Sequence, residues 1–559
     1  MMAQTLPNFL RSRIPWAVAA GVMFALAQPK FEIAGFGWIA SAILLLATFG
    51  ATPKLTFRIG YLAGFVQQLI TLHWLLYIPL RVPAIIGWVA ISAYLAIYPA
   101  LWVMLAWKLF PMRLRGNLFD PTPTDHFTET SAMQRLVWAL LCACGWVAME
   151  MTIGRFLTGF PWNFLGISQF RMLPLIQISS ITGVYGVSFV MVWFACSLFS
   201  TGMMLTRQSK STHWLLEICP SLFCVMILFA WGQSRVIQIN LRAQKNTRTV
   251  KVALVQPSIP QTLIWDPTEN TNRFNDIVRL SEMALKTKPQ ILIWPEAAVP
   301  NMLRFDTNVS DAIINLVTNN HVWTILGSDD AVLGDSMPDK EPEVTYYNSA
   351  FAISPDGALL NGYRKRRLVI FGEWIPFFKY LPFLKYLSPA GENPFSPGTG
   401  PVPFHLSDLD LTTSVLICFE DTFPHLAREY VSDDTDFLLN ITNNGWFGES
   451  AAQWQHAVAA IFRAVENRIP LVRCTNNGLT CWIDQSGGLH DIFYDASRDV
   501  YGSGFKTANI PLLPKGEKRA LTFYTKHGDV FGWTCVGFAV AGFSFRSRRK
   551  WDGATSETP

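Results

Sequence analysis

Two regimes of hydrophobic patterning divide the chain. Up to about residue 235, apolar residues run almost unbroken through 14–27, 33–50, 60–80, 84–110, 136–153, 176–204 and 214–231. A helix needs about 20 mainly apolar residues to cross a bilayer, so this pattern predicts seven spans. The run at 530–545 predicts an eighth. From about Thr249 the apolar runs shorten and alternate with helical periodicity. Strands are expected at 250–255, 290–294, 322–327, 412–417, 437–441 and 471–474, and helices at 270–286, 311–319 and 453–468. The turn signal Pro355-Asp356-Gly357 predicts a hairpin of 349–353 with 359–363. Strands alternating with helices over roughly 260 residues predict one α/β domain with a sandwich core. The expected organisation is membrane helices at 1–235, an outer domain at 247–512, a last membrane helix at 528–546 and a tail at 547–559.

Composition agrees with a membrane protein. Half of the residues are hydrophobic and only 15% are charged, against about 25% in soluble domains. The net charge of +5 is modest. Without a basic patch, it predicts no nucleic-acid partner. Loop charges orient the spans. Arg11, Arg13, Lys54, Arg58, Lys108, Arg113, Arg115, Arg135, Arg207 and Lys210 fall on one side, joined by Arg546, Arg548, Arg549 and Lys550. The opposite short loops hold Lys30, Arg81, Arg155 and Arg171. The positive-inside rule then predicts cytoplasmic termini and an outer domain on the periplasmic face of a bacterial inner membrane. The polar segment 240–249 reads as the link into that domain.

Three residues of the outer domain carry candidate chemistry. Cys418 ends the apolar run 412–417, where a strand-to-helix turn would expose the thiol and the following N-terminus would favour its thiolate. Taken alone, a strand-end cysteine is more often a buried core residue. Glu296 follows Trp294-Pro295 at another strand end, where proline stops the ladder and leaves the carboxylate facing a cleft. A carboxylate held there among apolar groups suits general-base work; a solvated surface carboxylate fits as well. Lys365 lies in the run Arg364-Lys365-Arg366-Arg367 and would stabilise a thiolate and an oxyanion; a solvated basic loop is the plainer reading. The histidines form no ligand cluster, so neither metal nor cofactor is expected. Cys474 and Cys481 either pair in an oxidising compartment or fill the core.

The order Glu296, Lys365, Cys418 resembles the triad of the carbon–nitrogen hydrolase, or nitrilase, superfamily. Gln455-His456, Arg463, Glu466, Arg473 and Thr475-Asn476-Asn477-Gly478 resemble it too. A closer resemblance, over nearly the full length, is to the apolipoprotein N-acyltransferase family. It rests on Leu157-Thr158-Gly159-Phe160-Pro161-Trp162 after Glu150, Val255-Gln256-Pro257, Trp265-Asp266, Tyr347-Asn348-Ser349-Ala350, Phe371-Gly372-Glu373-Trp374, Ile417-Cys418-Phe419-Glu420 and Asn443-Asn444-Gly445-Trp446-Phe447-Gly448. The family's usual tyrosine after the nucleophile is Phe419 here, and its usual proline before the Phe-Gly-Glu motif is Ile370.

The resemblance implies a fold: a transmembrane bundle of about eight helices plus a nitrilase-like α-β-β-α sandwich. It also implies roles. Glu296 is the base, Lys365 the oxyanion stabiliser and Cys418 the nucleophile. Glu373 and Glu420 are accessory carboxylates that orient Lys365 or the incoming amine. Trp265, Asn348, Phe371, Trp446 and Phe447 line the acyl and lipopeptide site. The implied reaction is ping-pong transfer from a phospholipid, phosphatidylethanolamine being the expected donor, through a Cys418 thioester to the amine of a diacylglyceryl-cysteine apolipoprotein. A membrane-tethered amidase acting on a small amide is the competing expectation. The aromatic stretch 371–387, interrupted by Lys379, Lys385, Pro376 and Pro382, is expected to form a lid at the membrane surface.

Overall fold

A computed structural model describes residues 12–111, 126–206, 214–245, 248–264, 266–334, 344–376, 380–381, 383 and 394–554. The chain forms two compact units. The first holds residues 1–73, 86–236 and 527–559; the second holds 74–85 and 237–526.

The first unit is helical. Among the described residues, four helices are long and apolar enough to cross a membrane: Arg81–Leu109, Ala132–Ile153, Val184–Thr206 and Leu215–Lys245. Shorter apolar helices are Arg13–Leu26, Leu173–Thr182 and Val530–Arg546. Helices pack closely where side chains vanish. A Cβ on Gly60 would stand 2.7 Å from the Ala100 Cα, and one on Gly64 would stand 2.9 Å from the Ala96 Cα. Small residues let backbones approach where lipid offers no hydrophobic drive to associate. Several of the expected apolar runs break up, among them 176–204, which does so at Gly183 between Ser179–Thr182 and Val184–Thr206. Residues 33–50 form a 3₁₀ turn, Ala34–Trp38, followed by the helix Ala40–Thr48. Residues 60–80 leave the helix Pro53–Thr71 for a second 3₁₀ turn, His73–Tyr77. The helix expected at 214–231 instead continues to Lys245, so most of the polar link at 240–249 is helical.

The second unit is a two-sheet sandwich. Its strands, in chain order, are β1 (Thr249–Gln256), β2 (Ile291–Ile293), β3 (Trp323–Leu333), β4 (Val344–Ile353), β5 (Tyr363–Arg364), β6 (Pro403–Leu406), β7 (Leu411–Ile417), β8 (Phe437–Thr442), β9 (Leu471–Thr475), β10 (Cys481–Ile483), β11 (Leu489–His490) and β12 (Gly504–Pro511). One sheet runs β12-β1-β2-β3-β4-β5 and the other β11-β10-β9-β8-β7-β6. Each has a parallel centre, β1-β2-β3 and β7-β8-β9, with antiparallel strands at the margins. Helices Asn270–Leu285 and Thr307–Asn320 cover the outer face of the first sheet. Their Ile277, Leu280, Ile313 and Val317 pack with Leu292, Trp294, Leu326 and Phe351 in one buried cluster. Strand side chains alternate faces, so the intervening residues of β2, β3 and β4 face the second sheet. Between the sheets, Cys474 Sγ lies 3.3 Å from both the Val255 and Ile293 carbonyl oxygens. Cys474 and Cys481 are both free and buried, which makes them core residues rather than a disulfide.

Candidate active site

Four backbone devices bring the candidate side chains to one end of the sandwich. The first is at Glu296. Beyond β2, Trp294 N donates to Ile325 O at 2.9 Å and Gly327 N to Pro295 O at 3.2 Å, so the chain still lies along β3. A Cβ on Gly327 would meet Pro295 O at 2.6 Å and Glu296 Cα at 2.7 Å. Only glycine permits that approach. The second device is at Lys365, just past β5, where its N–H donates to Asn348 O at 2.8 Å. The third is the turn that carries Glu373: Glu373 N and Trp374 N donate to Val369 O at 2.8 and 3.2 Å.

The fourth device is at Cys418, whose φ is +55°. A non-glycine residue pays about 1 kcal/mol or more for that conformation and keeps it only when its surroundings impose it. Here Asn440 Nδ2 donates to Cys418 O at 2.8 Å and His456 Nε2 stands 3.2 Å from the same oxygen. The Glu420 carboxylate takes the Ile417 N–H at 2.8 Å. The chain therefore turns sharply from β7, and Cys418 keeps some exposure while Ile417 and Glu420 have none.

The buried Lys365 ammonium joins the carboxylates. Its Nζ is 3.1 Å from Glu296 Oε1 and 2.8 Å from Glu373 Oε1. Asn348 Nδ2 donates to the same two oxygens, at 2.7 and 2.8 Å. Glu296 Oε2 accepts from Asn443 N at 2.9 Å, and Glu373 Oε2 from Val369 N at 2.9 Å. Glu296 is therefore held by polar donors, not among apolar groups as its sequence neighbours suggest. Burial works against the Lys365 charge, but Glu296, Glu373 and the Cys418 sulfur outweigh it and hold the amine well above its ordinary range. For Cys418 the balance runs the other way. Burial and the neighbouring Glu296 charge raise the thiol, and Lys365 only partly offsets them. The expectation of a thiolate favoured by a following helix fails for a structural reason. That helix is the five-residue 3₁₀ turn Cys418–Thr422, too short to carry a useful dipole. A thiol so placed would need a base before its sulfur could attack.

The other expected site residues divide. Glu420 is fully buried but does not hydrogen-bond Lys365. Its oxygens accept from the Arg366 and Arg367 N–H groups at 2.7 and 3.0 Å, from Ile417 N and from the Tyr363 hydroxyl. It ties the segment after Lys365 to the turn at Cys418 and does not orient the ammonium. Phe371 is exposed, with φ +59°, and its N–H donates to Trp374 O. Trp446 and Phe447 lie in the half-buried turn Asn444–Phe447. Phe447 meets Trp74 edge-on at 4.5 Å, and the Trp74 indole N–H donates to Gln455 Oε1 at 3.0 Å. That anchor for the segment 74–85 was not legible in a stretch that reads as membrane span. Trp265 lies outside the described residues. So do residues 377–379, 382 and 384–387 of the expected lid; of the rest, Tyr380, Leu381 and Phe383 are exposed.

One acidic side chain went unnoticed in the sequence. Asp329 is directly opposite Asn348 in the β3–β4 ladder, so both side chains project from the same face. Burial, then the charges of Glu296 and Glu373, raise its carboxyl to about 7. The strand expected to end at Gly327 in fact runs to Leu333, which carries Asp329 onto the site's face.

Comparison with known proteins covers both units. Residues 20–197 match the family model of the apolipoprotein N-acyltransferase N-terminal domain, and residues 251–503 match that of carbon-nitrogen hydrolases. The apolipoprotein N-acyltransferase of Geobacter metallireducens is 34% identical over 96% of this chain and 95% of its own length. The protein of that name from Shewanella oneidensis is 30% identical over 96% of both chains. The one from Vibrio cholerae is 27% identical over 96% of this chain and 97% of its own. With both domain types in order and identity sustained end to end, the chain belongs to the apolipoprotein N-acyltransferase family.

Proposed function

We propose that this protein N-acylates the N-terminal diacylglyceryl-cysteine of bacterial apolipoproteins by ping-pong transfer of a phospholipid acyl chain through Cys418. The observation that carries the chemistry is the pairing of Glu296 with Lys365 beside a cysteine held in a left-handed turn. Glu296 takes the thiol proton as sulfur attacks the ester carbonyl, and Lys365 stabilises the oxyanion. The ester C–O bond breaks, the leaving lysophospholipid alkoxide takes the proton from Glu296, and a thioester remains. The acceptor amine then attacks, the C–S bond breaks, and the proton lost by nitrogen passes by way of Glu296 to the sulfur as the amide forms. Covalent catalysis divides one difficult transfer between two easier ones. Glu373 shares the Lys365 ammonium and fixes its position.

The donor is phosphatidylethanolamine, abundant in the membrane that the first 235 residues occupy. Eight spans, cytoplasmic termini and a periplasmic domain at 247–512 would put Cys418 on the side where lipoproteins mature, and the loop-charge bias supports that orientation. Phe371, Trp446 and Phe447 supply apolar surface for the chains. The test is mass spectrometry of the purified protein after exposure to phosphatidylethanolamine vesicles. An acyl mass on the Cys418 peptide, lost to a lipopeptide with gain of an amide, is expected. Discharge to water with no acylated lipopeptide would mean a hydrolase instead.

A further inference from the structure

Glu296 and Glu373 both bind the Lys365 ammonium directly, and Asp329 adds a third carboxylate on the same face. Arg273 also acts on Asp329, yet three carboxylates still outnumber the cations around the Lys365 ammonium. Two acceptors in this cluster remain open. Asn348 is 5% exposed, and its Oδ1 has no hydrogen-bond partner among the described residues. The amide cannot simply turn round to fill that need. Its Nδ2 is pinned between two carboxylates, and an amide oxygen facing them would bring no proton to share. The second open acceptor is Asp329, whose carboxylate has no hydrogen bond to any described residue. It also lines an open cleft of about 540 Å³ beside Asn301, Met302, Phe305 and Thr307. The buried Asn348 oxygen is left without a donor at a cost, while Asp329 opposite it is half-buried and faces the cleft, so the pair suits a ligand that brings protons.

We propose that Asp329 and the Asn348 amide oxygen form the seat for the primary ammonium of the second substrate, reached through the cleft at 300–307. This rests on the acyltransferase reading above and adds to it where the acceptor docks. An anion would be repelled by the surplus charge. A hydroxyl would fill one acceptor and neutralise nothing. A divalent metal would want six or more oxygens, and these two do not make a cage. An alkylammonium supplies donors and charge together. The seated ammonium passes one proton to Asp329, which releases it to solvent. The neutral nitrogen attacks the thioester carbonyl, the N–C bond forms and the C–S bond breaks. The second proton leaving nitrogen passes by way of Glu296 to the departing sulfur, restoring the thiol. A carboxyl that titrates near neutrality is suited to that first transfer.

The experiment loads the full-length enzyme with acyl chain from phospholipid vesicles, removes the donor and follows discharge of the Cys418 thioester. One portion receives a diacylglyceryl-cysteinyl peptide with a free α-amine. The other receives hydroxylamine, a small nucleophile that is largely uncharged at neutral pH. In Asp329→Asn the ratio of peptide-driven to hydroxylamine-driven discharge should fall about tenfold or more. An unchanged ratio, including one in which both rates drop together, overturns the seat. On the wild-type enzyme, which needs no folding control, a peptide with the α-amine replaced by hydroxyl should compete at least about tenfold more weakly than the amine. Equal competition overturns the proposal too. Wild-type enzyme that never acquires an acyl mass on Cys418 defeats the acyltransferase reading itself, and the seat with it.

Discussion

Two buried ionic clusters flank Cys418, and they are built differently. On one side Lys365 is outnumbered by Glu296, Glu373 and Asp329. On the other side the charges are matched. Asp421 binds His456 Nε2 at 2.9 Å and the Arg473 guanidinium, and Arg463 binds Glu466 at 2.7 Å. Burial alone would raise the Asp421 carboxyl, but His456 and Arg473 hold it below its usual range. Through His456 and through Arg463, which donates to Thr422 O at 2.9 Å, this second cluster grips the backbone of the turn and not the sulfur. A matched cluster holds geometry. An unmatched one is poised to gain and lose protons or to take a cation.

The largest expected effects test that division directly. Cys418→Ala should give no acyl-enzyme at all. Glu296→Gln and Lys365→Met should slow thioester formation by about a thousandfold or more. Glu296→Gln preserves shape but turns one accepting oxygen into a donor facing donors, so it should cost about 2 kcal/mol of stability, a lesser effect than that on chemistry, as measured by thermal denaturation of the solubilised chain. Asp421→Asn should do the reverse. It strands Arg473 in a fully buried site and should cost about 3 kcal/mol or more of stability, while protein that remains folded still forms thioester. If Glu296→Gln unfolds the domain, or Asp421→Asn stops chemistry at full stability, the two clusters do not differ in kind.

Glu420 lies between these cases and sharpens them. Its carboxylate accepts three backbone N–H groups and the Tyr363 hydroxyl. Glu420→Gln swaps one accepting oxygen for a donor that faces other donors. About 2 kcal/mol of stability should go, with about a tenfold slower thioester formation as Lys365 and Cys418 drift apart. A loss equal to that of Glu296→Gln would mean that Glu420 acts on the reacting atoms.

How much of this could be read in the sequence depended on the kind of signal. β1, β7 and the helix Asn270–Leu285 were legible because strongly apolar runs or helical periodicity mark them. β12 was not. Its residues Gly504–Pro511 are mostly half-buried at a sheet margin, and pairing with β1 defines the strand more than any apolar run does. β3 looked finished at Gly327 because Ser328-Asp329-Asp330 resembles a loop, although a ladder can carry polar residues wherever their side chains find partners or a cleft. Within the site, Glu296, Lys365, Glu373 and Cys418 came from motif order. The double donation by Asn348, the Asn443 backbone N–H on Glu296 and the Trp74 anchor came only from the fold. Contacts between residues far apart in sequence leave no local pattern.

The smallest expected effect concerns stability at Asp329. Its carboxyl titrates near 7 in the folded protein, pushed up by burial and by Glu296 and Glu373, while Lys365 and Arg273 pull the other way. An unfolded aspartate titrates at about 3.9. The folded state therefore holds this proton more tightly, and the group's favourable contribution is complete below about pH 4. That contribution is lost as pH rises to about 7 and beyond. Asp329 is only half-buried, so solvent screens much of the effect, and about 1 kcal/mol is the reasonable scale. Asp329→Asn cannot ionise. Its stability should match the wild type, to within a constant offset, at about pH 4 and exceed it by about 1 kcal/mol more at about pH 8. Unfolding curves of the two full-length proteins at both pH values measure that difference. If the wild type instead gains on the variant as pH rises, the Asp329 charge is already compensated in the folded resting state. The cluster around Lys365 would then be matched after all, and the contrast with the Asp421 cluster would shrink to a difference in exposure.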